Sequence, residues 1–105
     1  MNGDFLGFLG LAARAGRVVY GSEACETAIR RGKIKLLLVD GTTSEKTLKE
    51  FIDACTYYKV PIIVNKAERT LGEAVGKPAN KVIGISCPRF AGRLMEIHKD
   101  TSGGV

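Results

Sequence analysis

The side chains best placed for chemistry in this sequence are cations, and they cluster. Between Arg14 and Lys35 stand Arg14, Arg17, Arg30, Arg31, Lys33 and Lys35, against only Glu23 and Glu26. Between Lys66 and Lys81 stand Lys66, Arg69, Lys77 and Lys81, against Glu68 and Glu73. Within the first cluster, residues Gly21 to Gly32 read as turn, short helix, turn, and Lys33-Ile34-Lys35 leads into the apolar run Leu36 to Val39. A helix N-terminus offers free N–H groups and a partial positive charge. With cations at its other end, such a helix can meet a polyanion through phosphate contacts, with salt-dependent affinity. Arg30 and Arg31 also have a purely structural reason to be there, since cations near a helix C-terminus favour its dipole.

Other chemistries find less support. Asp40 ends a buried strand, where ligands of open α/β sheets gather. Phosphoryl acceptance there needs an acidic pair for a metal, and Asp4 is the only acid ahead of the second helix, so Asp40 reads as a turn residue before Gly41. No GxGxxG follows a strand and no P-loop is present. His98 is the single histidine, and without Cys or His neighbours it makes no zinc site. Cys25, Cys55 and Cys87 are too widely spaced for a CxxC pair. They read as three small core residues of a protein from a reducing compartment. No acid–base constellation emerges. The expectation is a protein that is not an enzyme, with no catalytic residues, metal or cofactor.

The elements that must position these cations follow from periodicity. The chain has 105 residues, a net charge of +5 and 45% hydrophobic residues, which suits one folded domain, over residues 1–100, with a flexible tail from 101 to 105. The apolar stretch Phe5 to Ala13 is too short to span a membrane and reads as a buried helix of a cytoplasmic protein, from an Asp4 N-cap to Ala15 with Gly16 as its stop. Val18 to Tyr20 is a short strand. Gly21 turns the chain with a backbone that favours glycine, and Ser22 caps a helix that buries Cys25, Ala28 and Ile29. Leu36 to Val39 is apolar on both faces, as in a central strand covered by helices on each side. Ser44 caps a helix whose Leu48, Phe51, Ile52 and Cys55 form one stripe. Ile62 to Val64 and Val82 to Ile85 are further strands, and a short helix lies at Thr70 to Val75. Pro88 opens the last helix, lined inward by Phe90, Leu94 and Ile97. The fold class is α/β, a three-layer α/β/α sandwich around a four-stranded mixed sheet.

Several of these segments together resemble the ribosomal protein L7Ae/L30e/S12e family, most closely its small bacterial members. The likeness spans roughly Leu9 to Ile85. It rests on Gly-Leu-Ala-Ala-Arg-Ala-Gly at residues 10–16, on Gly21 and Gly32 eleven apart, on the strand Leu36 to Val39, on Tyr58-Lys59-Val60-Pro61, and on Leu71-Gly72-Glu73-Ala74-Val75-Gly76. The resemblance implies an α/β/α sandwich that binds kink-turn RNA, a sharply bent helix with tandem sheared G·A pairs. In that family an Asn-Glu pair after the glycine matching Gly21 contacts the G·A pairs, and a lysine further along contacts the backbone. Here Glu23, Ala24 and Thr27 occupy those positions, so all three side chains are replaced. An ionised glutamate only accepts hydrogen bonds where asparagine also donates. The family's apolar loop after the glycine matching Gly76 is here Lys77, Pro78 and Ala79.

If the sheet brings the turn at Gly21 beside the loops at Lys66 and Lys77, the cations form one basic face. Few aromatics are free to stack bases, with Tyr20, Tyr57 and Tyr58 the candidates, so a folded RNA read by shape fits better than a single strand. The expected RNA-contacting residues are Arg17, Gly21, Ser22, Glu23, Ala24, Thr27, Lys33, Lys66, Lys77, Pro78 and Ala79. The expected partner is structured RNA, ribosomal or another kink-turn RNA, contacted by a monomer that can associate with the ribosome and not with a membrane. The alternative is a protein-interaction or ribosome-assembly module of the same fold with weak or lost kink-turn recognition.

Overall fold

The sheet is built on one strand that is apolar on both faces. The structure, a computed structural model, describes residues 2–67 and 69–103. Its elements are α1 (Asn2–Arg14), β1 (Val18–Tyr20), α2 (Ser22–Arg30), β2 (Leu36–Asp40), α3 (Glu45–Tyr58), β3 (Ile62–Asn65), α4 (Leu71–Ala74), β4 (Val82–Ile85) and α5 (Pro88–Gly103). Strand order is β1-β4-β2-β3, with β2 parallel to β3 and β4 antiparallel to both its neighbours. Every residue of β2 is buried. Side chains alternate across a strand, so Leu36 and Leu38 pack with Phe5, Leu9, Leu71 and Leu94 on one face. Leu37 and Val39 pack with Cys25, Ile29, Phe51 and Cys55 on the other. Helices α1, α4 and α5 thus form one outer layer and α2 and α3 the second, the α/β/α sandwich expected from the sequence.

Local signals held in part. Ser44 caps α3 by accepting from the Thr47 N–H at 3.3 Å, and Thr70 with Glu73 makes a reciprocal capping box on α4. Ile52 is 40% exposed, because it sits at the edge of the α3 stripe while Phe51 and Cys55 fill its centre. Asp4 is not an N-cap: α1 already includes Asn2, and Asp4 lies in its first turn, where a carboxylate favours the dipole just as well. Ser22 is not a cap either; it is the first residue of α2, and the cap is Gly21. The last helix continues through Thr101 to Gly103, where the sequence reading placed a flexible tail, since nothing before Gly103 breaks it. Gly104 and Val105 of that tail lie outside the described residues.

Asp40 differs most. Strand β2 runs one residue further than expected and carries Asp40, which is 2% exposed, into the core. Its carboxylate accepts from Asn65 Nδ2 at 2.9 Å and from the Leu71 N–H at 3.2 and 3.3 Å. It therefore fixes the start of α4 to the end of β3, a structural task added to the expected turn, which Asp40 opens by accepting the Thr43 N–H at its carbonyl at 3.0 Å. Among the described residues no helix is long and apolar enough to cross a membrane, and no group of His, Cys, Asp and Glu is placed to hold a metal ion.

Candidate nucleic-acid interface

One end of the sheet gathers the loops of interest. Strands β1, β2 and β3 are mutually parallel in direction and β4 is antiparallel, so the ends of the first three meet the start of the fourth. Backbone bonds sew this rim together. The Gly21 N–H donates to Val82 O at 3.0 Å, the Asp40 N–H to Lys81 O at 2.9 Å, and the Gly41 N–H to Asn65 O at 2.7 Å. The turn at Gly21 and the segments around Lys66 and Lys77–Lys81 consequently share one rim.

At the centre of the rim, Gly21 has φ 94 and ψ 156, a conformation reserved almost wholly for glycine. This geometry lets the chain leave β1 and enter α2 within one residue. No side chain caps the helix. The N–H groups of Ser22, Glu23 and Ala24 therefore have no intrahelical acceptor, and all three residues are exposed. Ala24, Thr27, Ala28 and Arg31 follow at helical spacing, and with Glu23 and Lys33 they line an open groove of about 410 Å3 on the outer face of α2.

The flanks of α2 differ in charge. Toward α3, Ser22, Glu23, Glu26 and Glu50 border a smaller groove of about 210 Å3 that carries three carboxylates. Glu26 also pairs with Arg30 at 3.5 Å across an exposed helix turn, a contact of little energetic weight. The side bearing Ala24, Thr27, Arg31 and Lys33 carries two cations against Glu23.

The loop after α4 closes the rim on the other side. Gly72 is buried, and a Cβ there would collide with the carbonyl oxygens of Lys77 and Asn80. The absent side chain lets the loop fold back, with the Lys77 N–H donating to Gly72 O at 2.7 Å and the Asn80 N–H to Lys77 O at 2.9 Å. Lys77, Pro78 and Ala79 are exposed at its tip. The Lys77 ammonium stands 5.0 Å from the centre of the Tyr20 ring, immediately before Gly21. Asn80 approaches the same glycine, its Oδ1 being 3.8 Å from where a Gly21 Cβ would stand.

The expected residues are thus brought together unequally. The loop of Lys77, Pro78 and Ala79 meets the start of α2 through Lys77 at Tyr20 and Asn80 at Gly21. Ser22, Glu23, Ala24 and Thr27 follow along α2, and Lys33 borders the outer groove beyond the other end of that helix. Lys66 lies on the same rim but next to Gly41, beside β3 at the opposite sheet edge. Three strand spacings, roughly 14 Å, separate that edge from β1. Arg17 is not part of the rim. It precedes β1 at the other end of the sheet, where its carbonyl accepts the Ser86 N–H at 3.0 Å. Its charge acts there on Cys87, whose thiol is held below the usual range mainly by the Phe90 and Arg89 N–H groups at the start of α5. Cys25 and Cys55 are the core residues expected, pushed by burial up to about 12 and about 11, but Cys87 is not, being only half-buried because it lies between the end of β4 and the start of α5. Tyr20, a candidate stacking aromatic in the sequence, and Asn80, whose only sequence signal is its position before Lys81, join the rim.

Comparison with known proteins agrees with this fold. The family described as Ribosomal protein L7Ae/L30e/S12e/Gadd45 matches residues 4–89. The chain is 35% identical over 94 residues to the RNA-binding protein YlxQ of Bacillus subtilis, covering 90% of this chain and 94% of that one. It is 36% identical to the RNA-binding protein YlxQ of Enterococcus faecium, covering 88% of each. Among solved structures it resembles a protein of unknown function from Bacillus halodurans, with a TM-score of 0.83 and 33% identity over 88% of this chain and 93% of that one. The fold is shared with a Giardia lamblia 15.5kD RNA binding protein, at a TM-score of 0.76 and 18% identity, covering 95% of this chain and 86% of that one. With a sandwich of this topology and a match over most of its length, the chain belongs to the ribosomal protein L7Ae/L30e/S12e/Gadd45 family.

Proposed function

We propose that this protein binds structured RNA of the kink-turn type, without catalysing a reaction on it. It does so as a monomer, through the start and outer face of α2 and the loop at Lys77. The observation that carries this reading is the uncapped α2 N-terminus at Gly21, set directly beside the basic loop. Free N–H groups and the dipole receive phosphate oxygens, while Lys77 and Lys33 neutralise flanking phosphates. A surface of this kind positions a bent duplex by its backbone. Names given to relatives support an RNA partner, since two curated homologues are called RNA-binding proteins. Ribosomal RNA is one source of such folds, and the cytoplasm is where they would meet.

One feature favours a second reading, a protein-interaction or ribosome-assembly module. Ala24 is too short to reach the G·A pairs and Thr27 too short and uncharged to replace a lysine on the RNA backbone, and Glu23 repels phosphate. The two readings separate in an alanine series measured by fluorescence anisotropy with a kink-turn RNA. Lys77→Ala and Lys33→Ala should each weaken binding several-fold at low salt and reduce the salt slope by about one. Lys46→Ala, on the exposed side of α3, should change neither. Equal small effects from all three would reduce the interaction to diffuse charge attraction and favour the module.

A further inference from the structure

A third groove lies on the other side of Tyr20, away from α2. It lies between α1, the end of β1 and α4, holds about 450 Å3, and is walled by Arg14 and Arg69 over a floor that includes Gly7 and Gly10. We infer that it seats a further stretch of the RNA's sugar–phosphate backbone, beyond the part held by α2. The inference rests on the RNA-binding reading above and extends it to a separate surface.

Three observations point to a polyanionic strand. First, the charge is of one sign among the described residues: both wall arginines are exposed, no carboxylate of those residues lines the groove, and neither arginine is ion-paired with one. Two guanidiniums facing one cleft present planar donor sets suited to phosphate oxygens. Second, the floor is kept low where folding does not require it. Gly10 has a packing reason, since a Cβ there would come within 3.2 Å of the Ala74 carbonyl oxygen. Gly7 has none: a Cβ there meets nothing within 4 Å, yet glycine in a helix interior is unfavourable. A bare floor allows a strand to approach the helix backbone. Third, the groove is continuous with the rim, because Tyr20 forms part of its wall and carries the Lys77 ammonium over its ring. A strand leaving the α2 surface past Lys77 would enter it.

Hydroxyl-radical footprinting on a kink-turn RNA with extended arms tests this, alongside affinity measured at several salt concentrations. Wild-type protein should protect the kink and a second backbone stretch in one arm. Arg14→Ala with Arg69→Ala should keep the kink protected and lose the second stretch. Affinity should fall about tenfold and the salt slope by about two. Gly7→Gln should do the same to the second stretch by filling the floor, while raising Tm by about 4 °C, so that loss of binding cannot be loss of fold. Thr27→Glu, on α2, should instead remove protection at the kink. An unchanged footprint and affinity in the double arginine variant would overturn the groove while leaving the α2 reading in place. An equal loss of affinity for an unrelated duplex would also overturn it, as diffuse attraction. Loss of the second stretch with kink protection untouched by Thr27→Glu would support the groove and overturn the α2 reading. Absence of protection by the wild type would overturn both.

Discussion

Gly21 controls the chemistry of the rim, because its positive φ turns the chain so sharply that the first N–H groups of α2 face outward without a cap. Around it, Ala24 and Thr27 are exposed and carry no partners that a longer side chain would disturb. Ala24→Glu with Thr27→Lys therefore tests whether the family's docking geometry survives beneath the replaced residues. It should raise kink-turn affinity about tenfold and steepen the salt slope by about one, as measured by titration at two salt concentrations. No gain would mean that this face has another task. The three thiols give an independent check on local environment. Burial keeps Cys25 and Cys55 protonated up to about 12 and about 11, whereas Cys87 is held below its ordinary range. A thiolate-selective reagent at pH 8 should modify one cysteine in the folded protein, Cys87, and all three only after unfolding. Rapid modification of two or more in the native state would contradict the packing described.

At the scale of elements, the sequence was legible wherever one rule acted alone. The two-faced apolar run of β2, the α3 cap at Ser44 and the short helix beginning near Thr70 all follow from local pattern. Residues with tertiary tasks were not legible. Asp40 reads as a turn residue because nothing local says that Leu71, thirty-one positions later, brings an N–H to its carboxylate. Ser22 reads as a cap because serine prefers that position, but Gly21 takes it when the strand exit demands a positive φ. Arg17 was grouped with the interface by proximity in sequence, yet a strand of three residues carries it to the opposite end of the sheet. The role of Gly72 is also invisible locally, and it is the most testable. Gly72→Ala forces the loop carrying Lys77 off α4. It should destabilise the fold by about 1–3 kcal/mol and weaken RNA binding beyond what Lys77→Ala does alone. Thermal unfolding and binding measured on the same preparation separate the two effects. Wild-type stability in that variant would show that the loop does not rest on Gly72.

Across the whole molecule, the topology decides which cations stand near the start of α2. Inserting β4 between β1 and β2 places the loop after α4 against the turn after β1. The segment from Lys77 to Lys81 thus shares a rim with the start of α2, with Lys66 at the rim's far end, while Arg17 and Lys35 lie at the opposite end of the sheet. A net charge of +5 guarantees some attraction to any nucleic acid, so affinity alone does not establish a site. The decisive measurement is the affinity for a kink-turn RNA and for the same RNA with its tandem G·A pairs replaced by Watson–Crick pairs, each at low and physiological salt. Binding through the uncapped α2 start and the Lys77 loop predicts clear discrimination between the two RNAs that persists at physiological salt. Equal affinities that fall together as salt rises would contradict it, leaving charge without recognition.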